Sequence, residues 1–113
     1  MINLDSLRKG TAELLILHQL VEGDSYGYKI TKDIEEKSHG SYRLPVGTMY
    51  PILYRLIENK YVTDYDTWIG KRKRKYYHIE ESGKAYFNTL WAEYKQMIEG
   101  IFSIIEGQEG GKC

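Results

Sequence analysis

The end of this chain carries more apolar surface than one small domain can cover, and that restricts what it can fold into. Between residues 82 and 106, Phe87, Leu90, Tyr94, Met97, Ile101 and Ile104 follow at spacings of 3, 4, 3, 4 and 3. That is the seam of a long helix. Trp91, Ile98, Phe102 and Ile105 form a second stripe beside it. One stripe can pack on the chain's own domain; the other needs a second copy. The expected homodimer face is Leu90, Met97, Ile98, Ile101, Phe102 and Ile105. Gly100 weakens such a helix by about 1 kcal/mol relative to alanine.

The rest of the 113 residues fits one domain. A first helix is expected over residues 5–21, with Leu14, Leu17, His18 and Val21 on one face and Leu15 widening it. Ser25 is placed to cap a second helix running to about Lys37, with Tyr28, Ile30, Ile34 and Tyr26 on its apolar side. A third helix starts near residues 46–48 and ends near Lys60, with Pro51 in its first turn and Ile52, Leu53, Leu56 and Ile57 inward. Residues 61–69 and 75–79 alternate as strands do. Between them stand Gly70 and five consecutive cations, Lys71 to Lys75, which reads as a hairpin with a basic tip. Tyr76 and Tyr77 must point to opposite faces. Helix, helix, helix, hairpin, helix is a winged helix-turn-helix: an α+β fold, mainly α, with a long C-terminal dimerisation helix. The expected division is a winged-helix domain over 1–80, the dimerisation helix over 81–106 and a disordered tail over 107–113.

Charge narrows the function. The chain holds 16 Lys/Arg and 16 Asp/Glu, yet they are not evenly spread. Residues 1–42 carry five cations against seven anions, residues 43–79 eight against three, and residues 80–113 three against six. A basic middle flanked by acidic ends suits a polyanion bound at one place. Catalysis finds no support. His18, His39 and His78 match no metal-ligand spacing, Glu35-Glu36 and Glu80-Glu81 read as solvated faces or helix starts, and no phosphate-binding or nucleophile motif is present. No cofactor is expected. Cys113 is the single cysteine, so neither an intrachain disulfide nor a cysteine metal site can form. The opening MINLDSLRKG lacks the apolar core of a signal peptide, and no apolar run approaches the ~18 residues of a membrane span. The expectation is a cytoplasmic protein without a membrane partner.

The run Pro45-Val46-Gly47-Thr48-Met49-Tyr50-Pro51-Ile52-Leu53-Tyr54-Arg55-Leu56 resembles the G-T-[apolar]-Y-P-x-L-x-R-L core of the PadR family of bacterial transcriptional regulators. Glu13 to Leu17, Tyr26-Gly27-Tyr28-Lys29-Ile30 and Lys71 to Tyr77 resemble that family's first helix, its Y-G-Y-E-I element and its G-R-x-R-K-x-Y wing, in the same order. Together they span residues 7–83. The departures are Val46 before Gly-Thr, Lys71 where the wing often has glycine, and Glu80 in place of a threonine before the last helix, so Glu80 or Ser82 must cap there. The length resembles the short subfamily. The resemblance implies a homodimer that represses transcription at a palindromic operator on double-stranded DNA. It also implies that a small aromatic effector could sit between the C-terminal helices, where Phe87, Trp91 and Tyr94 would fall. Packing between copies explains the same rings.

Helix-turn-helix docking assigns Thr48, Tyr50 and Tyr54 to the DNA face of the third helix. Tyr26 and Lys29 reach phosphates from the second helix, and Lys73, Arg74 and Lys75 from the wing. Arg55 is open between a phosphate and an ion pair with Glu58 or Asp33. The competing class is a winged-helix module that binds protein without sequence-specific DNA recognition.

Overall fold

A computed structural model describes residues 4–107; the expected tail lies, from residue 108 on, outside the described residues. The elements are α1 (Leu4–Glu22), β1 (Ser25–Tyr26), α2 (Gly27–Lys37), α3 (Val46–Glu58), β2 (Val62–Ile69), β3 (Arg72–Ile79) and α4 (Glu81–Ile105). The strands form one antiparallel sheet in the order β1-β3-β2. This is a winged helix with a long C-terminal helix.

The core lies between α1, α2, α3 and the base of the hairpin. It buries Ala12, Ile16, Leu17 and Leu20, then Ile30 and Ile34, Leu44, then Met49, Ile52, Leu53 and Leu56, and finally Val62, Tyr77 and Ile79. Two apolar faces differ from expectation. On α1 the stripe at four-residue spacing, Ala12, Ile16 and Leu20, faces the core, while Val21 is exposed. On α2, Ile30 and Ile34 are buried and Tyr28 is not. Tyr28 stands two residues before Ile30, which at 3.6 residues per turn puts it on nearly the opposite side.

Ser25 does not cap α2. It belongs to β1, pairing with Tyr77, and Tyr26 occupies the N-cap position in an extended conformation without a side-chain cap. The sheet uses the backbone that a capped turn would have used. Pro51 sits in the second turn of α3, not its first. Lacking an N–H, it leaves the Gly47 carbonyl without its helical partner.

The basic run is a strand more than a tip. Ile69 pairs with Arg72, so the turn is Gly70-Lys71 alone, with Gly70 at φ +63°. Glycine tolerates a positive φ at the first turn position without a side-chain clash. Arg72 to Lys75 therefore alternate between the two faces of β3. Tyr77 is buried and Tyr76 half-buried, as their opposite directions require.

Neither Glu80 nor Ser82 caps α4. Glu80 holds the N-cap position, but its carboxylate accepts from the Thr63 hydroxyl at 2.8 Å, and Ser82 donates to the Lys60 carbonyl at 2.8 Å. α4 then crosses α1. The Tyr86 ring stacks on Tyr61 at 4.4 Å, and its hydroxyl donates to Glu13 at 2.9 Å. Burial, then that bond, push the Tyr86 phenol up to about 12. Gly83 is buried where α4 passes the α3–β2 turn. A Cβ there would run into the Tyr61 carbonyl and the Ile79 side chain. Gly83→Ala should therefore cost about 1–3 kcal/mol in urea unfolding. An unchanged midpoint would contradict this close approach.

Candidate nucleic-acid interface

Three elements converge on one open cleft. The start of α2 supplies Tyr26, Gly27 and Tyr28, α3 supplies Tyr50, and β3 supplies Arg72, Lys73, Arg74, Lys75 and Tyr77. β1 makes this possible, because pairing Tyr26 with Tyr76 draws the wing against the start of α2. The Arg74 guanidinium lies 4.1 Å from the centre of the Tyr26 ring. Tyr26 meets Tyr76 edge-on at 5.3 Å, and Tyr76 stacks on Tyr65 at 5.7 Å. Such contacts contribute roughly 0.5–1.5 kcal/mol each and hold cationic side chains in fixed positions.

A carboxylate clasps the outer face of the wing. Asp24, in the link between α1 and β1, accepts from the Tyr65 hydroxyl at 2.7 Å, and its other oxygen lies 2.7 Å from His78 Nδ1. Burial acts to raise the Asp24 carboxyl, but the hydrogen bonds from His78 and Tyr65 outweigh it and leave its pKa below the ordinary 3.8. The Tyr65 phenol is pushed up from 10.0 chiefly by the same bond.

Not every expected residue reaches the cleft. Tyr54 is 59% exposed and stacks beside Tyr50 at 6.1 Å, extending the tyrosine face along α3. Thr48 is half-buried at the N-terminal end of α3. Lys29 points elsewhere: its ammonium pairs with Asp33 at 2.6 Å, in a polar hollow shared with Glu22, Asp24 and Lys37. Arg55 makes no ion pair with Asp33, which Lys29 holds, or with Glu58 among the described residues. Sequence reasoning passed over Tyr28 and Arg72, which line the cleft. Arg72 belongs to the basic run; Tyr28, expected on the apolar side of α2, is exposed to the cleft instead.

A second feature lies between α1 and α4. Leu14, Leu15, His18, Val21, Phe87 and Trp91 line an open cavity of about 500 Å³. The His18 and Phe87 rings lie 5.8 Å apart. Tyr94 does not line it, because its hydroxyl donates to the Gly10 carbonyl. Leu90 is half-buried against the chain's own core, whereas Met97, Ile98, Ile101, Phe102 and Ile105 are exposed. Among the described residues no helix is long and apolar enough to cross a membrane.

A profile of the transcriptional regulator PadR-like family matches residues 16–89, which covers all of α2, α3 and the wing. The chain belongs to that family. A transcriptional regulator from Clostridium thermocellum superposes with a TM-score of 0.82 at 32% identity, over 94% of this chain and all of the other. The transcriptional regulator Rv3488 of Mycobacterium tuberculosis is 28% identical over 101 residues, 89% of each chain. Bacillus subtilis PadR, solved in complex with operator DNA, superposes at 0.65 with 26% identity, over 71% of this chain and 46% of that one. The PadR-like family is one of regulators rather than enzymes.

In this PadR-family chain the Asp24 clasp has a pH signature. Because its folded-state pKa lies below 3.8, the stability from the ionised carboxylate is present above that value and lost as pH falls through the folded-state pKa. Asp24→Asn should be less stable than wild type at pH 7, and the gap should close toward pH 2 in urea unfolding. A gap that stays constant over that range would contradict the clasp.

Proposed function

We propose that this regulator is a DNA-binding repressor that acts as a homodimer on a palindromic operator and is released by a small aromatic ligand. The observation that carries the reading is the cleft in which the start of α2, Tyr50 of α3 and four cations of the wing meet. In a chain with no net charge, that concentration of cations beside a helix N-terminus suits a duplex better than a protein surface. The start of α3 enters the major groove, where Thr48, Tyr50 and Tyr54 read base edges or phosphates. The wing holds phosphates through Lys73, Arg74 and Lys75, with Arg72 added. Tyr26 holds the backbone beside α2, and Lys29 joins it on releasing Asp33. The operator complex of Bacillus subtilis PadR supports the same class of partner.

The dimer reading rests on α4. Its distal half exposes Met97, Ile98, Ile101, Phe102, Ile104 and Ile105 at 40–70%. Burying each large apolar side chain is worth roughly 1.5–3 kcal/mol. A second copy covers them and sets two α3 helices about one DNA turn apart, ~34 Å. The effector reading rests on the cavity beside Phe87 and Trp91, which adjoins the same helix. A flat aromatic molecule there releases the operator only by binding the two arrangements of α4 with different affinity.

Fluorescence anisotropy tests the core of the proposal, using the duplex upstream of the protein's own gene, a shuffled duplex and a salt series. The expected result is preference for the upstream duplex by about a thousandfold or more, with a steep salt dependence. Equal, weak binding to both would favour a protein-binding module. Ile101→Glu combined with Met97→Glu should weaken dimerisation by at least about a hundredfold in sedimentation equilibrium. An unchanged dimer would remove α4 from the interface.

A further inference from the structure

The wing's basic run has no acidic residue next to it in sequence, but it has two across the sheet. Asp64 stands opposite Tyr77 and Asp66 opposite Lys75, so both carboxylates share a face with Lys73 and Lys75. The four groups form a chain. Lys73 lies 3.8 Å from Asp66, Asp66 lies 3.7 Å from Lys75, and Lys75 lies 3.5 Å from Asp64. All four side chains are 38–57% exposed. On this face the formal charges of the two lysines are cancelled. Arg72 and Arg74 project to the other face, and neither makes an ion pair among the described residues; Arg74 rests on Tyr26 instead.

We propose that Asp64 and Asp66 are intramolecular competitors of DNA phosphate that hold down the affinity of the wing. The inference rests on the DNA-binding reading above. Exposed ion pairs contribute little to stability, with a median of roughly 0–1 kcal/mol. The ladder is therefore a weak brace for the hairpin, and the lysines can exchange a carboxylate for a phosphate at small cost. The exchange still has a consequence. A lysine that leaves Asp66 uncovers a carboxylate close to the incoming phosphate, well within the ~8 Å screening length at physiological salt. The uncovered carboxylates gather cations again, which offsets part of the counterion release that drives binding. The wing thus grips DNA less tightly than its five cations suggest.

The test uses the full-length protein and a non-specific duplex, so it does not depend on knowing the operator. Affinity is measured by anisotropy from 50 to 300 mM salt (on the order of the range over which such contacts are read) for wild type, Asp64→Asn/Asp66→Asn, Lys73→Ala/Lys75→Ala and the fourfold variant. Asp66→Asn alone, which frees one partner of each lysine, is a milder second probe. Urea midpoints confirm that each variant folds. The expected result is about tenfold tighter binding by the Asn pair at the lowest salt, with a log–log salt slope steeper by about 1–2. In the lysine-free background the gain should be several times smaller, because competition acts through the lysines and only the residual repulsion by the carboxylates is left. A loss of affinity on the Asn substitutions would mean that the carboxylates position the lysines, and would overturn the proposal. So would an equal gain with and without the lysines, which marks simple repulsion. Wild type that binds no duplex at all would fail the DNA reading itself, and this inference with it.

Discussion

The fold depends on a two-residue strand. β1 pairs Ser25 with Tyr77 and Tyr26 with Tyr76, and this short ladder joins the wing to the helix-turn-helix. Without it, the hairpin would be held by its base, where Val62, Tyr77 and Ile79 enter the core, and by the side-chain bonds of Tyr65 and His78 to Asp24. With it, Tyr26 does three things at once. It opens α2, it adds backbone bonds to β3, and its ring lies beneath Arg74. Asp24 adds a clasp on the same face of the sheet, gripping Tyr65 and His78. The wing and the start of α2 therefore present one surface with fixed geometry, and the order cost of placing its cations is met during folding rather than on binding.

Electrostatics and packing act on different parts of the chain. Wing cations are partly neutralised across the sheet, so the run of five cations overstates the field the surface offers. Tyrosines fill the space between them. Tyr50, Tyr54, Tyr26 and Tyr28 give a face that is apolar in body and polar at the tip, suited to a groove lined by sugars, base edges and phosphates. At the other end α4 is docked by Gly83, Tyr86 and Phe87 and then projects, leaving its distal apolar residues exposed.

Much of this was legible in the residues. The two stripes of α4, the inward face of α3 and the alternating hairpin are local periodicities, and the winged-helix architecture follows from their order. Local motifs also marked Tyr50, Tyr26 and the basic run. The misses share a physical cause. β1 is too short to show a period, so Ser25 looked like a cap. Val21 borders an apolar stripe, and only the packed partner decides which border is covered; Tyr28 lies on nearly the opposite side of α2 from Ile30, where a large aromatic side chain is a poor guide to burial. Pro51 was displaced by one turn because its helix begins further upstream than a proline usually allows. The pairing of Lys73 and Lys75 with Asp64 and Asp66 depends on hairpin register, which a glycine turn sets and adjacency in sequence does not reveal.

The central claim is that one rigid wing-and-helix surface, doubled by α4, reads a two-fold symmetric site. Selection of duplexes from a random-sequence library by the full-length protein tests it most directly. The account predicts a palindromic consensus whose half-sites are centred about one helical turn apart, roughly 10 base pairs. A single unpaired half-site, or bound duplexes with no consensus, would contradict it.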